Sequence, residues 1–98
     1  MRLAWSQQSL AEIETIWRYI EKRNPAAANR VRDRIVTALQ RLESRPFVGR
    51  IGRIANTREF VFTDIPYVSV YEVDEALNQV TIMRVLHTSR FYPPKTEE

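Results

Sequence analysis

The chain has 98 residues, 44% of them hydrophobic, and carries a formal net charge of +3 with a sequence pI of about 9.7. That length fits one small domain, 1–98, around one core. With no cysteine and a single histidine there is no disulfide framework and no provision for a zinc site; neither metal nor cofactor is expected.

Arg2-Leu3-Ala4-Trp5 alternates apolar with other residues and predicts a first strand. Ser6 or Ser9 can cap the helix that follows, and Ser9 with Glu12 has the capping-box spacing. Leu10, Ile13, Ile16, Trp17 and Ile20 then recur at helical spacing, with Lys22 and Arg23 in the last turn, where cations suit the helix dipole. Asn24-Pro25 opens a second helix, Asn as cap and Pro at the first position. Its apolar stripe is Val31, Ile35, Ala38, Leu39 and Leu42, and Ser44-Arg45-Pro46 ends it. The very short link makes the two helices an antiparallel hairpin.

Both glycines lie in Phe47 to Asn56, which reads as an exposed loop with a short strand around Gly52 to Ile54. Arg45, Arg50, Arg53 and Arg58 crowd this region, and no acid occurs from Ser44 to Arg58. Three strands follow. Thr57 to Phe62 has Phe60 and Phe62 on one face, Glu59 and Val61 on the other. Tyr67 to Val73 comes after the Asp64-Ile65-Pro66 turn. Val80 to His87 comes after the Asp74 to Asn78 turn. Strict alternation places Val80, Ile82 and Leu86 on one face of the last strand with Arg84 among them.

The expected architecture is α+β: an N-terminal strand over 1–5, an antiparallel αα-hairpin over 6–45, a three-strand antiparallel meander within 46–92, and a tail, 93–98. The helices pack on one face of the sheet and leave the other partly open. Trp5, Trp17, Ile20, Leu39, Val70 and Ile82 are the expected core. No apolar run spans a bilayer and no signal-peptide pattern opens the chain, so a soluble cytoplasmic protein without a membrane partner is expected.

Candidate chemistry collects at the open face. Arg84 interrupts an apolar row: it is a snorkelling arginine, a structural pair with Glu59 or Glu72, or part of a site. His87 has the only side chain suited to acid–base work near neutrality, or it hydrogen-bonds the backbone where the strand ends. Arg50, Arg53 and Arg58 form a basic loop without the Lys-Ser/Thr of a P-loop. Arg90 and Tyr92 extend the same edge. Thirteen of the fifteen cations are arginine, Lys22 and Lys95 being the exceptions. That bias suits a nucleic-acid or acidic-protein partner, or a solvated basic surface. No nucleophile–base pair and no paired carboxylates are identifiable.

The layout from Leu3 to Pro93 resembles the ParE/RelE superfamily of toxins from bacterial type II toxin–antitoxin systems. The resemblance rests on Gly49-Arg50-Ile51-Gly52-Arg53, Thr57-Arg58-Glu59, Pro66-Tyr67-Val68-Ser69-Val70-Tyr71 and Arg84-Val85-Leu86-His87-Thr88-Ser89-Arg90. It implies a growth-inhibiting toxin held inactive by a cognate antitoxin that wraps an extended, partly helical segment around it. RelE-like members cut mRNA in the ribosome, whereas ParE-like members poison DNA gyrase. A RelE-like enzyme would use His87, Arg84, Arg90 and Tyr92 catalytically, and the binding residues implied are Arg50, Arg53, Arg58, Glu59, Arg84 and Arg90. The RelE-like pattern has a basic residue after the aromatic that opens the middle strand; here Val68 follows Tyr67. The Leu86-His87-x-x-Arg90 ending is closer to the ParE-like branch, which favours gyrase over the ribosome and mRNA. A binding module that has lost toxicity is the remaining alternative.

Overall fold

The computed structural model describes residues 1–91 of the chain, in the order β1 (Arg2–Trp5), α1 (Gln7–Glu21), α2 (Pro25–Gln40), a 3₁₀ turn (Arg41–Glu43), β2 (Arg50–Ile51), β3 (Thr57–Val61), β4 (Tyr67–Asp74), β5 (Gln79–His87) and α3 (Thr88–Phe91). Both long helices start where their caps predict. Ser6 accepts from the Ser9 N–H at 3.0 Å, and Asn24 accepts from the Ala27 N–H at 3.1 Å with Pro25 in the first turn. The Ser9–Glu12 capping box does not form: Ser9 is buried with its hydroxyl on Ser6 O, and Glu12 is used elsewhere. None of the described helices is long and apolar enough to cross a membrane.

The sheet has five strands in the order β1-β5-β4-β3-β2. β1 runs parallel to β5, from Arg2 opposite Gln79 to Trp5 opposite Ile82, and the other pairs are antiparallel. The fifth strand, β2, lies at Arg50–Ile51 rather than around Gly52 to Ile54. The reason is the turn after it: the Gly52 N–H donates to Thr57 O, and Asn56 takes the left-handed conformation (φ 66°) that asparagine tolerates.

The helical hairpin covers one face. Ile13, Ile35, Ala38, Leu39 and Leu42 meet Phe62, Tyr67, Tyr71, Val80, Ile82 and Val85 there. Of the expected core, Leu39, Val70 and Ile82 are fully buried, while Trp5, Trp17 and Ile20 are only partly so. Trp17 faces outward enough for its indole N–H to donate to Asn29 Oδ1 at 2.9 Å. The opposite face carries a smaller cluster of Val68, Val70, Met83 and Leu86, closed over by Phe91. The short helix α3 therefore covers part of the face expected to be open.

Alternation fails in β5. Tyr71 pairs with Ile82 but Val70 with Arg84, so Met83 is an extra residue, a β-bulge. Beyond it the pattern inverts. Val85, not Leu86, joins Val80 and Ile82 beneath the helices, and Leu86 packs on the other face with Met83. One inserted residue flips every later side chain, because the strand period is two.

Candidate functional site

The bulge lies where β1 runs out. The partner strand ends at Trp5, and from Met83 on that side of β5 has no strand neighbour among the described residues. Side chains take over. The Ser6 N–H donates to Ile82 O at 2.9 Å and the Ser6 hydroxyl to Met83 O at 2.8 Å. Glu12, on the first turns of α1, accepts from the Val85 N–H at 2.8 Å with one oxygen and from Arg84 Nε at 2.7 Å with the other. Arg84 thus pairs with Glu12, not with Glu59 or Glu72. Its side chain stays 37% exposed and Glu12's 18%, so the pair is neither dry nor fully solvated.

Two clefts meet at Arg84, Leu86 and Arg90. One, of about 590 Å³, runs between Glu12, Thr15, Ile16 and Tyr19 of α1 and Tyr67, Val85, His87 and Ser89. The other, of about 480 Å³, lies over Val70, Leu86 and Phe91 on the opposite face, rimmed by Arg53 and Ile54. Three expected site arginines, Arg53, Arg84 and Arg90, therefore surround one apolar floor. Arg84 brings its charge partly matched by Glu12, and Arg90 is exposed with no acidic partner among the described residues.

Glu59 lies beneath the loop that carries Arg50 and Arg53, the latter a lining residue of the second cleft. Its carboxylate is 96% buried in effect, with 4% exposure, and accepts from Arg50 Nε at 2.9 Å and from the Arg53 N–H at 3.0 Å. The Arg53 guanidinium lies 4.4 Å from the Phe91 ring centroid and donates to Phe91 O at 3.1 Å. Glu59 thus orients the loop arginines and ties them to α3. Arg58 points the other way. It donates to Gly49 O at 2.7 Å and Phe47 O at 3.2 Å, and lines neither cleft. Behind it the Tyr71 hydroxyl donates to Pro46 O and accepts from the Gly49 N–H, at 2.8 and 2.9 Å. A Cβ at Gly49 would lie 2.5 Å from that hydroxyl, so this close approach requires glycine. Burial raises the pKa of the Tyr71 hydroxyl, and that of Tyr67 likewise.

His87 stands edge-on to Tyr67, ring centroids 5.4 Å apart, in the first cleft. The Ser89 N–H donates to its Nδ1 at 3.1 Å, and the Ser89 hydroxyl lies 2.8 Å from the same nitrogen. An accepting Nδ1 puts the proton of the neutral ring on Nε2. Ser89 thus occupies Nδ1, and no carboxylate among the described residues hydrogen-bonds the ring. His87 shares the first cleft with Arg84 and Arg90, whereas Arg53 lines only the second. Tyr92 lies outside the described residues. Glu12 is the site residue that sequence reasoning missed; its one signal was that Arg84 amid apolar neighbours demanded an acid.

The sequence matches the family described as the ParE toxin of the type II toxin–antitoxin system parDE over residues 3–92. The chain belongs to this family. The toxin is 41% identical over 92 residues to the putative toxin Y4kP of Sinorhizobium fredii, covering 94% of the chain and 93% of that protein. It is 36% identical over 89 residues to toxin RelE2 of Caulobacter vibrioides, covering 91% and 97%. Among solved structures the toxin superposes on a chain of the chromosomal ParDE system from P. aeruginosa with a TM-score of 0.80 at 19% identity, covering 89% of the toxin and 95% of that chain. The isolated E. coli RelE toxin superposes with a TM-score of 0.64 at 17% identity, over 98% and 87%. At those identities the likeness is one of fold, shared by both branches.

Proposed function

We propose that this toxin inhibits growth by binding DNA gyrase, and that a cognate antitoxin neutralises it. The observation that carries the reading is the set of partners around His87 and Glu59. RNA cleavage by 2′-hydroxyl attack needs a base, an acid and cationic stabilisation of the phosphorane. The arginines supply the last. The His87 ring is held by Ser89 with no carboxylate hydrogen-bonded to it among the described residues, and Glu59 is buried against Arg50 and Arg53. Val68, where RelE-like members carry a basic residue, is fully buried. A surface that binds without moving protons fits these groups better than a nuclease.

One observation favours the second reading, a ribosome-dependent mRNA endoribonuclease: Arg53, Arg84 and Arg90 converge on one cleft, a geometry that suits a phosphate. Two assays separate the readings. Purified toxin is expected to inhibit gyrase supercoiling and to leave ribosome-bound mRNA intact. His87→Gln is expected to keep most of the inhibition. Ribosome-dependent cleavage that His87→Gln lowers by about 10²–10⁴ without unfolding would reverse the assignment.

A further inference from the structure

Arg84 crosses from one face of the sheet to the other. Val85 packs beneath the helices with Val80 and Ile82, whereas Val70, the residue paired with Arg84, packs on the opposite face with Leu86. Cross-strand partners share a face, so Arg84 leaves β5 on that opposite face. Its guanidinium nevertheless ends on Glu12 of α1, on the helix side. The route runs round the edge of β5, which has no strand neighbour among the described residues once β1 stops at Trp5. Arg84 lines both clefts for this reason.

Glu12 fixes the end of that route. Its Oε2 accepts from Arg84 Nε at 2.7 Å and lies 2.7 Å from Arg84 Nη2, while Oε1 accepts from the Val85 N–H at 2.8 Å. The backbone on either side is anchored as well. The Ser6 hydroxyl donates to Met83 O at 2.8 Å, and the Ser69 hydroxyl to Arg84 O at 3.0 Å. A guanidinium has more N–H groups than one carboxylate oxygen can take. Among the described residues the remaining ones, those of Nη1 above all, make no other side-chain hydrogen bond. Closing the sheet edge would need only the oxygen on Val85. The other oxygen is spent on an arginine that stays 37% exposed.

We infer that Glu12 is a positioning residue of the target-binding surface: it holds the Arg84 guanidinium at the seam of the two clefts, its unspent N–H groups available beside Arg90 for an anionic group of the target. This rests on the gyrase-binding reading above. The physical reason is entropic. A long side chain that is immobilised only on binding subtracts its lost rotamer freedom from the affinity. Arg84 has given up that freedom in the fold. Without the carboxylate its charge could swing to either cleft.

The test uses the purified toxin and gyrase, read by affinity and by inhibition of supercoiling. Glu12→Gln keeps an oxygen for the Val85 N–H and removes the charge that holds Arg84. Affinity is expected to fall about three- to tenfold, the penalty of ordering one long side chain on binding. The sign is diagnostic, because loss of an acid from a basic surface would by charge alone tighten an anionic partner. Ile35→Val, a core change that lines neither cleft, is the stability control and should leave affinity unchanged. In an Arg84→Gln background Glu12→Gln should bring no further loss, since the side chain it aims is gone. One readout needs no target: the Arg84 Nε–H resonance of the free toxin should exchange slowly with water in the wild type and fast in Glu12→Gln. Unchanged or tighter gyrase binding by Glu12→Gln, an equal loss in Ile35→Val, additive losses in the double variant, or a fast-exchanging Nε–H in the wild type would each overturn the positioning role while the gyrase reading stands. A wild type that spares gyrase and cleaves ribosome-bound mRNA overturns the gyrase reading instead. The positioning role is then read on cleavage, where the same fold-loss in Glu12→Gln is expected and an unchanged rate overturns it. A wild type inert towards both targets brings down both readings.

Discussion

The two ends of the sheet solve one problem in opposite ways. At the β1–β5 end, strand pairing stops after four residues, and the freed backbone of β5 is taken up by Ser6 and Glu12 from the start of α1. At the β2 end, a two-residue strand is pinned from within by Glu59, Arg58 and Tyr71, while its outer side has no strand neighbour among the described residues and its isoleucine stays exposed. The first end is closed by the chain itself and frames the clefts. The second is rigid but uncovered. The difference teaches that exposure at β2 is not looseness. A loop held by a buried carboxylate and a tyrosine hydroxyl is fixed in place even where its outer side faces water.

The scale for both ends comes from the core beneath the hairpin. Leu39→Ala should lower stability by about 2–5 kcal/mol, read from chemical denaturation. An unchanged midpoint would mean that α2 does not face the sheet. Next in size is Glu12→Ala, which leaves Arg84 and the Val85 N–H without their acceptor. Partial exposure of Arg84 moderates the loss to about 2–3 kcal/mol, below that of a dry ion pair. Glu12→Gln should recover part of it by keeping the bond to Val85; if Gln is no better than Ala, the edge is not closed in this way. Tyr71→Phe probes the β2 end and should cost about 1–2 kcal/mol, since Pro46 O and the Gly49 N–H lose their shared hydroxyl. Faster amide exchange confined to the loop would identify the cause. The smallest effect is expected for Ile51→Lys in the isolated toxin, within about 0.5 kcal/mol, because the side chain is already in water. A large loss there would erase the contrast between a closed edge and an open one.

Much of this arrangement was legible in the sequence because it is local. Asn24-Pro25, the helical stripes and the Gly49 to Arg53 segment announce themselves within a few residues of where they act. The core positions on the sheet were legible only as far as alternation held. Trp5 and Trp17 look like core by composition, but a long polar–apolar side chain at an element's margin is only partly covered, and Trp17 spends its N–H on Asn29.

Sequence alone determined the order of elements, the caps, the family and the arginine-rich loop, since each depends on spacing over a turn or a strand. Tertiary structure decided which arginines meet. The Met83 bulge depends on how β5 lies against β4, and it sends Val85 inward in place of Leu86. Glu12 reaches Arg84 across 72 residues, and no local pattern encodes that distance. Arg58 and Arg53 are five residues apart yet serve opposite sides of the sheet. A carboxylate buried beneath the loop claims one, and a pair of backbone carbonyls claims the other. Pairings of this kind arise only when the folded chain excludes water around a charge and obliges it to find the nearest partner.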